Sequence, residues 1–342
     1  MLGVLVYVVG PGGRSMKRRE FIGLVGSIAA AWPLAARAQQ SATLVVGVLV
    51  AGSPSGFWAE NVTAFRQGLG EAGYSEGRNM AIEARWAEDH YERLPALAAD
   101  LIGRRPAVIG AFATPAAKAA KAATTTIPVV FGIIADPVQI GLVASLDRPG
   151  GNMTGATLLS VEVGPKLLQL LHEVVPAATV MALLVNPTNP NASTQAKTGQ
   201  AAAQGLGLQL HVLNAASPSD FDLAFAKMHE LQVAALMIGQ DVLFGAEQEQ
   251  LAKFSMRYKI PAIMAQHEFV AAGGLMFYGT NQHDVYRQIG IYAGRILKGE
   301  KPSDLPVMQA TKFELAINLK TAKAFDLNVP LPLLGRADEV IE

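Results

Sequence analysis

Residues 43–73, TLVVGVLVAGSPSGFWAENVTAFRQGLGEAG, decide the fold. Residues 43–50 are an unbroken apolar run, the pattern of a strand covered on both faces. A Gly/Ser/Pro turn follows. Trp58, Val62, Phe65 and Leu69 then recur at helical spacing on one face of a helix over 57–72, and Gly73 stops it. A buried strand, a polar turn and an amphipathic helix make the first half of a βαβ unit.

The pattern repeats outward from there. Strand 80–86, helix 91–103, strand 107–112, helix 115–124 and strand 127–134 follow in turn. After Gly150-Gly151-Asn152 a second series begins with helix 161–175. It runs through strand 179–185, helix 192–205, strand 208–213, helix 218–230, strand 234–239, helix 246–258 and strand 261–265. Thr126-Ile127-Pro128-Val129-Val130 in the first series is echoed 133 residues later by Lys259-Ile260-Pro261-Ala262-Ile263. Each proline stands at a strand start, where a missing N–H is tolerated. The expected architecture is α/β: two Rossmann-like lobes of one layout, joined by a multi-strand hinge. The remaining strands, 275–280 and 313–318, and the helix 283–298 complete sheets already begun. The chain then crosses between lobes near 155–160, 272–278 and 307–312, so lobe I is expected to hold 43–156 with 276–308, and lobe II 157–275 with 309–335. Hinged closure around a ligand is a standard use of such a layout.

Residues 16–40, MKRREFIGLVGSIAAAWPLAARAQQ, read as a cleaved export signal. Lys17, Arg18 and Arg19 are its basic region, 21–34 its apolar region, and Ala36-Arg37-Ala38 its cleavage site. The arginine pair followed by Phe21 also fits a twin-arginine signal. Met16 is the expected start, residues 1–38 the expected leader and the periplasm the expected destination. The apolar run is broken by glycines and Pro33 and is short of the ~20 residues that span a bilayer. The whole chain carries 28 basic and 28 acidic residues; without Arg14, Lys17, Arg18, Arg19, Arg37 and Glu20 the remainder has 23 and 27, a net charge of −4. That balance gives no electrostatic footprint for nucleic acid. The chain has no cysteine, which excludes disulfides, thiolate catalysis and zinc–thiolate sites. Nothing in it calls for a cofactor.

In open α/β sheets, ligands bind outside the carboxyl ends of the strands. Those loops here are polar and rich in helix caps: Ser53 to Phe57, with Ser55 between them, then Thr114-Pro115, Asp136-Pro137, Asn186-Pro187, Asn189-Pro190, Gln240-Asp241 and Gln266-His267. Helix N-termini aimed into a cleft offer backbone N–H groups to an anion, and a carboxylate ligand would suit them. Each residue also has a structural reading. Thr114 and Asn189 read first as helix caps, Ser53 and Ser55 as turn residues, and Asp136 as a cap or a partner for a ligand ammonium. Asp241 follows an apolar strand with no proline after it and is a candidate ligand contact. Tyr278 reads either as a hinge aromatic or as a pocket wall. Trp58 and Phe65 read as core.

Asp136-Pro137-Val138, residues 141–146 (GLVASL), residues 148–155 (RPGGNMTG), and Gly273-Gly274-Leu275-Met276 with Tyr278-Gly279 resemble the exported ABC-transporter substrate-binding proteins of the tryptophan/tyrosine type. The tail, residues 311–323 (TKFELAINLKTAK) and 336–342 (RADEVIE), is similar to the proteobacterial branch, as is the MKRREFI leader. The resemblance covers nearly the whole chain. It implies a type I periplasmic-binding-protein fold, one ligand in the cleft, an inner-membrane ABC permease as partner, and ligand contacts at Ser53–Phe57, Thr114, Asp136 and Asp241. Some members bind aromatic amino acids. This chain departs from many relatives at Val242, where they have proline, and at Phe277, where they have serine.

The expected function is that of a monomeric solute receptor that closes on a small-molecule ligand, an amino acid or other carboxylate, through Ser53, Ser55, Phe57, Thr114, Asp136, Asn186, Gln240, Asp241, Gln266 and Tyr278. The alternatives are a ligand sensor for a membrane signalling protein and an exported hydrolase. The hydrolase reading has little to stand on: the loop Gly52-Ser53-Pro54-Ser55-Gly56 has proline where a nucleophile elbow needs serine, and the six histidines (90, 172, 211, 229, 267, 283) show no metal-ligand spacing.

Overall fold

The computed structural model describes residues 43–158 and 160–342. The leader expected over 1–38 lies outside these residues. Strand β1 (Leu44–Val50) is buried from Val46 onward and sits inside a parallel sheet. Its neighbours are β2 (Met80–Trp86), in register Leu44 to Met80 through Val50 to Trp86, and β3 (Val108–Phe112). Strands β4 (Val129–Ile133), β5 (Met153–Thr157) and β11 (Met308–Gln309) extend the sheet, giving the order β11-β5-β4-β3-β1-β2, all parallel.

The second sheet is built from β6 (Val180–Val185), β7 (Gln209–Asn214), β8 (Ala235–Ile238), β9 (Ala262–Met264), β10 (Met276–Gly279), β12 (Glu314–Asn318) and β13 (Glu339–Ile341). Its order is β13-β12-β10-β9-β8-β6-β7, and only the β10–β12 pair is antiparallel. The two prolines of the sequence echo do the same work in both lobes. Pro128 O accepts from Ile109 N and Pro261 O from Leu236 N, each at 2.9 Å, so each proline keeps its acceptor in the ladder while its missing donor costs nothing.

Helices cover both faces of each sheet. In the first lobe α1 (Gly56–Glu71) lies against α10 (Gln282–Leu297), while α2 (Leu94–Gly103) and α3 (Thr114–Ala123) form the other layer. In the second lobe α4 (Ser160–Val174) and α5 (Ala192–Gly205) pack on one face, and α6 (Asp220–Glu230) and α8 (Gln248–Tyr258) on the other. Two short helices, α7 (Val242–Ala246) and α9 (Glu268–Ala271), follow β8 and β9. Helices α11 (Leu319–Ala324) and α12 (Leu331–Leu334) precede the last strand.

The chain crosses between sheets after β5, after β10 and after β11. The middle crossing differs from the sequence reading, which placed 276–308 in the first lobe. Met276–Gly279 pairs with β9 and β12 in the second sheet, and only α10 returns to the first. Met276 and Phe277 are buried between those two partners, which a strand of the first sheet could not share. The second sheet also gains β13, beyond the expected limit at 335.

Helices α1 and α10 meet backbone to backbone. A Cβ on Gly68 would lie 1.9 Å from Arg287 O, and one on Gly290 2.1 Å from Phe65 O. The contact carries Phe57 and Trp58, at the start of α1, and Tyr286 on α10 into one aromatic cluster, with Trp58 and Tyr286 ring centroids 6.3 Å apart. Gly290→Ala should therefore lower the unfolding free energy by about 1–3 kcal/mol, seen as a lower urea midpoint at an unchanged slope. An unshifted midpoint would show that the helices part without cost.

Candidate functional site

The carboxyl ends of β1, β3 and β4 face those of β6, β8 and β9 across one cleft. From the first lobe come Phe57, Trp58, Ala113, Thr114, Ile134 and Tyr286. From the second come Asn189, Asn191, Gln240, Asp241, Val242 and Gln266. The cavity between them measures about 30 Å³ and takes its walls from both lobes, so parting the lobes opens it.

The β3–α3 turn is strained. Ala113 has φ 76° and ψ 157°, a region that L-residues with a side chain rarely occupy. Its N–H donates to Gly132 O at 2.9 Å, which holds the turn in place. Thr114 is not a cap, contrary to its first sequence reading: Ala113 occupies the cap position, and Thr114 is the first helical residue. Its hydroxyl is buried, lines the cavity and has no partner among the protein's own atoms.

Four more buried polar groups of the lining share that state: Trp58 Nε1, Asn191 Nδ2, both ends of the Gln240 amide, and Gln266 Oε1. Leaving such groups unpaired is costly, on the order of 1–3 kcal/mol each, so their convergence on one cavity marks it as built for something polar. Gln240 is held in place from behind, where Gln195 accepts from its N–H at 2.7 Å and donates to its carbonyl at 3.0 Å. Among the described residues lining the cavity there is no lysine, arginine or histidine.

Asp241 is the one acid of the lining. It is buried, and donors surround it. Oδ1 accepts from Leu243 N and from Asn186 Nδ2, each at 3.0 Å. Oδ2 accepts from Asn189 Nδ2 at 2.6 Å and from the Tyr91 hydroxyl at 2.7 Å. Tyr91 belongs to the first lobe, so this last bond spans the cleft. Burial and the neighbouring Asp241 carboxylate push the Tyr91 hydroxyl far above its usual range. They act likewise on Asp89, beside it, where burial first and then Asp241 and Glu247 raise the carboxyl to about 7.

Of the residues singled out in the sequence, Phe57, Thr114, Gln240, Asp241 and Gln266 come together around the cavity. Asn186 stands behind it, holding Asp241. The others point elsewhere. Ser53 and Ser55 face each other at 3.4 Å on the outer turn. Asp136 caps its own turn, accepting from Val138 N at 2.7 Å and Gln139 N at 3.2 Å. Tyr278 stacks on Phe313 with centroids 5.7 Å apart. Trp58, read as core, is buried and also lines the cavity; Asn191, Tyr286 and Tyr91 were not singled out. The spacing Asn186, Asn189, Asn191 after β6 is a signal that could have found the first of these three. Tyr91, inside a short 3-10 turn, leaves none.

A sequence model of the family described as ABC transporter substrate binding protein matches residues 46–341. The chain belongs to that family. It is 27% identical over 264 residues to the tyrosine-binding protein of Clostridioides difficile (strain R20291), covering 77% of this chain and 75% of that one. Two solved structures are similar throughout. A conserved domain protein from Vibrio cholerae matches with TM-score 0.80 at 27% identity, over 87% of this chain and 99% of its own. An ABC domain from Streptococcus pneumonia in complex with L-Trp matches with TM-score 0.79 at 25% identity, over 88% of this chain and all of its own. The two-lobed α/β architecture is therefore that of the periplasmic binding proteins, and the family's members are solute-binding proteins rather than enzymes.

A second contact joins the lobes on the α10 side of the cleft. His283 Nε2 lies 3.4 Å from Glu268 Oε1 of the second lobe and 3.6 Å from Glu60 Oε2 of its own. The Glu268 contact outweighs burial and raises the His283 pKa above 6.5. The closed arrangement thus favours protonated His283: its contribution is complete below that ordinary value and is lost as pH rises through the raised one. Asp89 works in the same direction, because burial first, and then Asp241 and Glu247 of the second lobe, favour its protonated form up to about pH 7. Closure should be more complete at pH 6 than at pH 8. Since the chain lacks cysteine, a spin-label pair at Lys118→Cys and Lys197→Cys would report it by inter-lobe distance. His283→Gln and Asp89→Asn should each shrink the difference; distances indifferent to pH in the unaltered chain would refute both couplings.

Proposed function

We propose that this protein is the exported solute receptor of an ABC importer, a monomer that closes its lobes on a small aromatic solute carrying a carboxylate and presents it to an inner-membrane permease. The observation that carries this reading is the convergence of unpartnered buried groups from both lobes on one cavity: Trp58 and Thr114 on one side, Asn191, Gln240 and Gln266 on the other. Groups split in this way are satisfied together only by something held between closed lobes. The start of α3, with the unpartnered Thr114 hydroxyl, suits a carboxylate. Phe57 and Trp58, edge to face at 5.2 Å, suit a flat apolar body. The names of the two relatives, one for tyrosine and one for L-Trp, support an aromatic solute.

A thermal-shift screen of aromatic acids, aromatic amino acids, aliphatic acids and nucleosides tests this. A ligand at 100 times its dissociation constant adds about 2.7 kcal/mol of stability, a rise of several degrees. Aromatic carboxylates should give the shift, and Thr114→Val or Gln240→Ala should weaken the best of them by about tenfold, roughly 1.4 kcal/mol. A response confined to nucleosides or aliphatic acids would reject the aromatic carboxylate. The export half is tested separately, by N-terminal sequencing of the protein from a periplasmic fraction. The first residue should be Gln39; a chain recovered only from cytosol with residues 16–38 intact would refute export.

A further inference from the structure

A second cavity opens beside the first, on the α10 side of the cleft, and measures about 130 Å³. Phe57, Gln266 and Gln282 line both, so the two adjoin. Phe57 from the first lobe and Gln266 from the second meet at the border. Gly245, in α7, stands next to them. A Cβ there would lie 3.5 Å from Gln266 Nε2 and 3.7 Å from Phe57 Cδ1, ordinary contact distances. The absent methyl gives ring and amide room to move.

The two cavities differ in chemistry. The first gathers unpartnered donors, Trp58 Nε1, Asn191 Nδ2 and Gln240 Nε2, alongside the Thr114 and Gln240 oxygens. The second is lined by the carboxylates of Glu268 and Glu314, beside His267 and His283. Lys312 Nζ holds Glu314 at 2.6 Å, and Glu339 holds His267 at 2.6 Å. Glu268 is held less firmly. Its Oε1 has His283 Nε2 at 3.4 Å, beyond the roughly 2.7–3.2 Å of a well-formed hydrogen bond. Gln266 adds a buried oxygen, Oε1, with no partner among the protein's own atoms. Two carboxylates repel the carboxylate of a solute. An acceptor set anchored by a loosely held carboxylate favours a donor, and a charged donor most.

We propose that this second cavity is a subsite of the ligand site: the solute turns its carboxylate toward the start of α3 and passes Phe57 to place a hydrogen-bond-donating group between Gln266 Oε1 and the Glu268 carboxylate. An ammonium and a ring hydroxyl are both donors of this kind. The proposal rests on the aromatic-carboxylate reading above and adds a second pole to it. Phe57 packs on the solute midway, and Gln266, which lines both cavities, meets it from the second lobe. The incoming donor gives Glu268 the close partner that His283, at 3.4 Å, does not.

Isothermal titration of the purified protein with L-tyrosine, L-phenylalanine, 3-(4-hydroxyphenyl)propionate and 3-phenylpropionate tests this. The four share ring, chain length and carboxylate, and the amine and the hydroxyl vary independently. At least one of those two groups should raise affinity tenfold or more, and the group that does so is the donor seated in the subsite. Glu268→Gln and Gln266→Leu should each cut that gain at least threefold. Glu268 is partly exposed, so Glu268→Gln folds and decides alone should Gln266→Leu fail to fold. No gain from either group, a gain left intact by either folded variant, or a loss shared equally by all four ligands would overturn the subsite and leave the carboxylate reading standing. Binding by none of the four would overturn both.

Discussion

The buried carboxylate of Asp241 meets four hydrogen-bond donors drawn from three places: its own helix start, the loop after β6, and Tyr91 across the cleft. Much of the site follows from that arrangement. A buried charge is tolerated only when paired or thoroughly hydrogen-bonded, so the loop after β6 must present Asn186 and Asn189 at the right depth. Asn186 is oriented in turn by Thr188, whose N–H and hydroxyl both donate to its Oδ1. Asn189 Oδ1 accepts from Asn191 N at 2.8 Å and so sets the residue that faces the cavity. The fourth donor exists only while the lobes are together. Closure and the second lobe's lining thereby meet at a single side chain.

The regular elements were legible because each carries its own signal. The β2 strand and the α5 helix stand at the bounds that their residues imply, and the apolar runs of β1, β3, β6 and β8 needed no partner to be recognised. What escaped was short or polar. Strand β5, MTGAT, has no apolar run; it is a strand because it lies beside β4, where Gly155 passes so near Phe131 that a Cβ would sit 2.1 Å from its carbonyl oxygen. The placement of β10 is a matter of partners, and four residues cannot name their neighbours.

At the site, topology did what residue type could not. The rule that ligands gather at strand carboxyl ends led to Phe57, Thr114, Gln240, Asp241 and Gln266. It also led to Ser53, Ser55 and Asp136, which occupy equivalent loops but spend their hydrogen bonds locally. A loop's position says which residues are near a cleft. Whether a side chain is free to face it depends on the local acceptors and donors, and those depend on φ and ψ. Ala113 is the sharpest case: a residue with no polar atom, whose strained backbone releases the threonine after it from capping duty.

The contact between α1 and α10 joins residues more than two hundred positions apart, through Gly68 with Arg287 and through an ion pair at 2.8 Å between Glu71 and Arg287. Tyr286, Ile289 and Ala293 are part of the first lobe's core. The first lobe therefore cannot finish packing until nearly three hundred residues have left the ribosome, although most of its strands appear within the first half of the chain. Native contacts of such long sequence separation slow folding, since the intervening loop must close before they form. A chain with this connectivity emerges with its first lobe's core unfinished until its far end arrives.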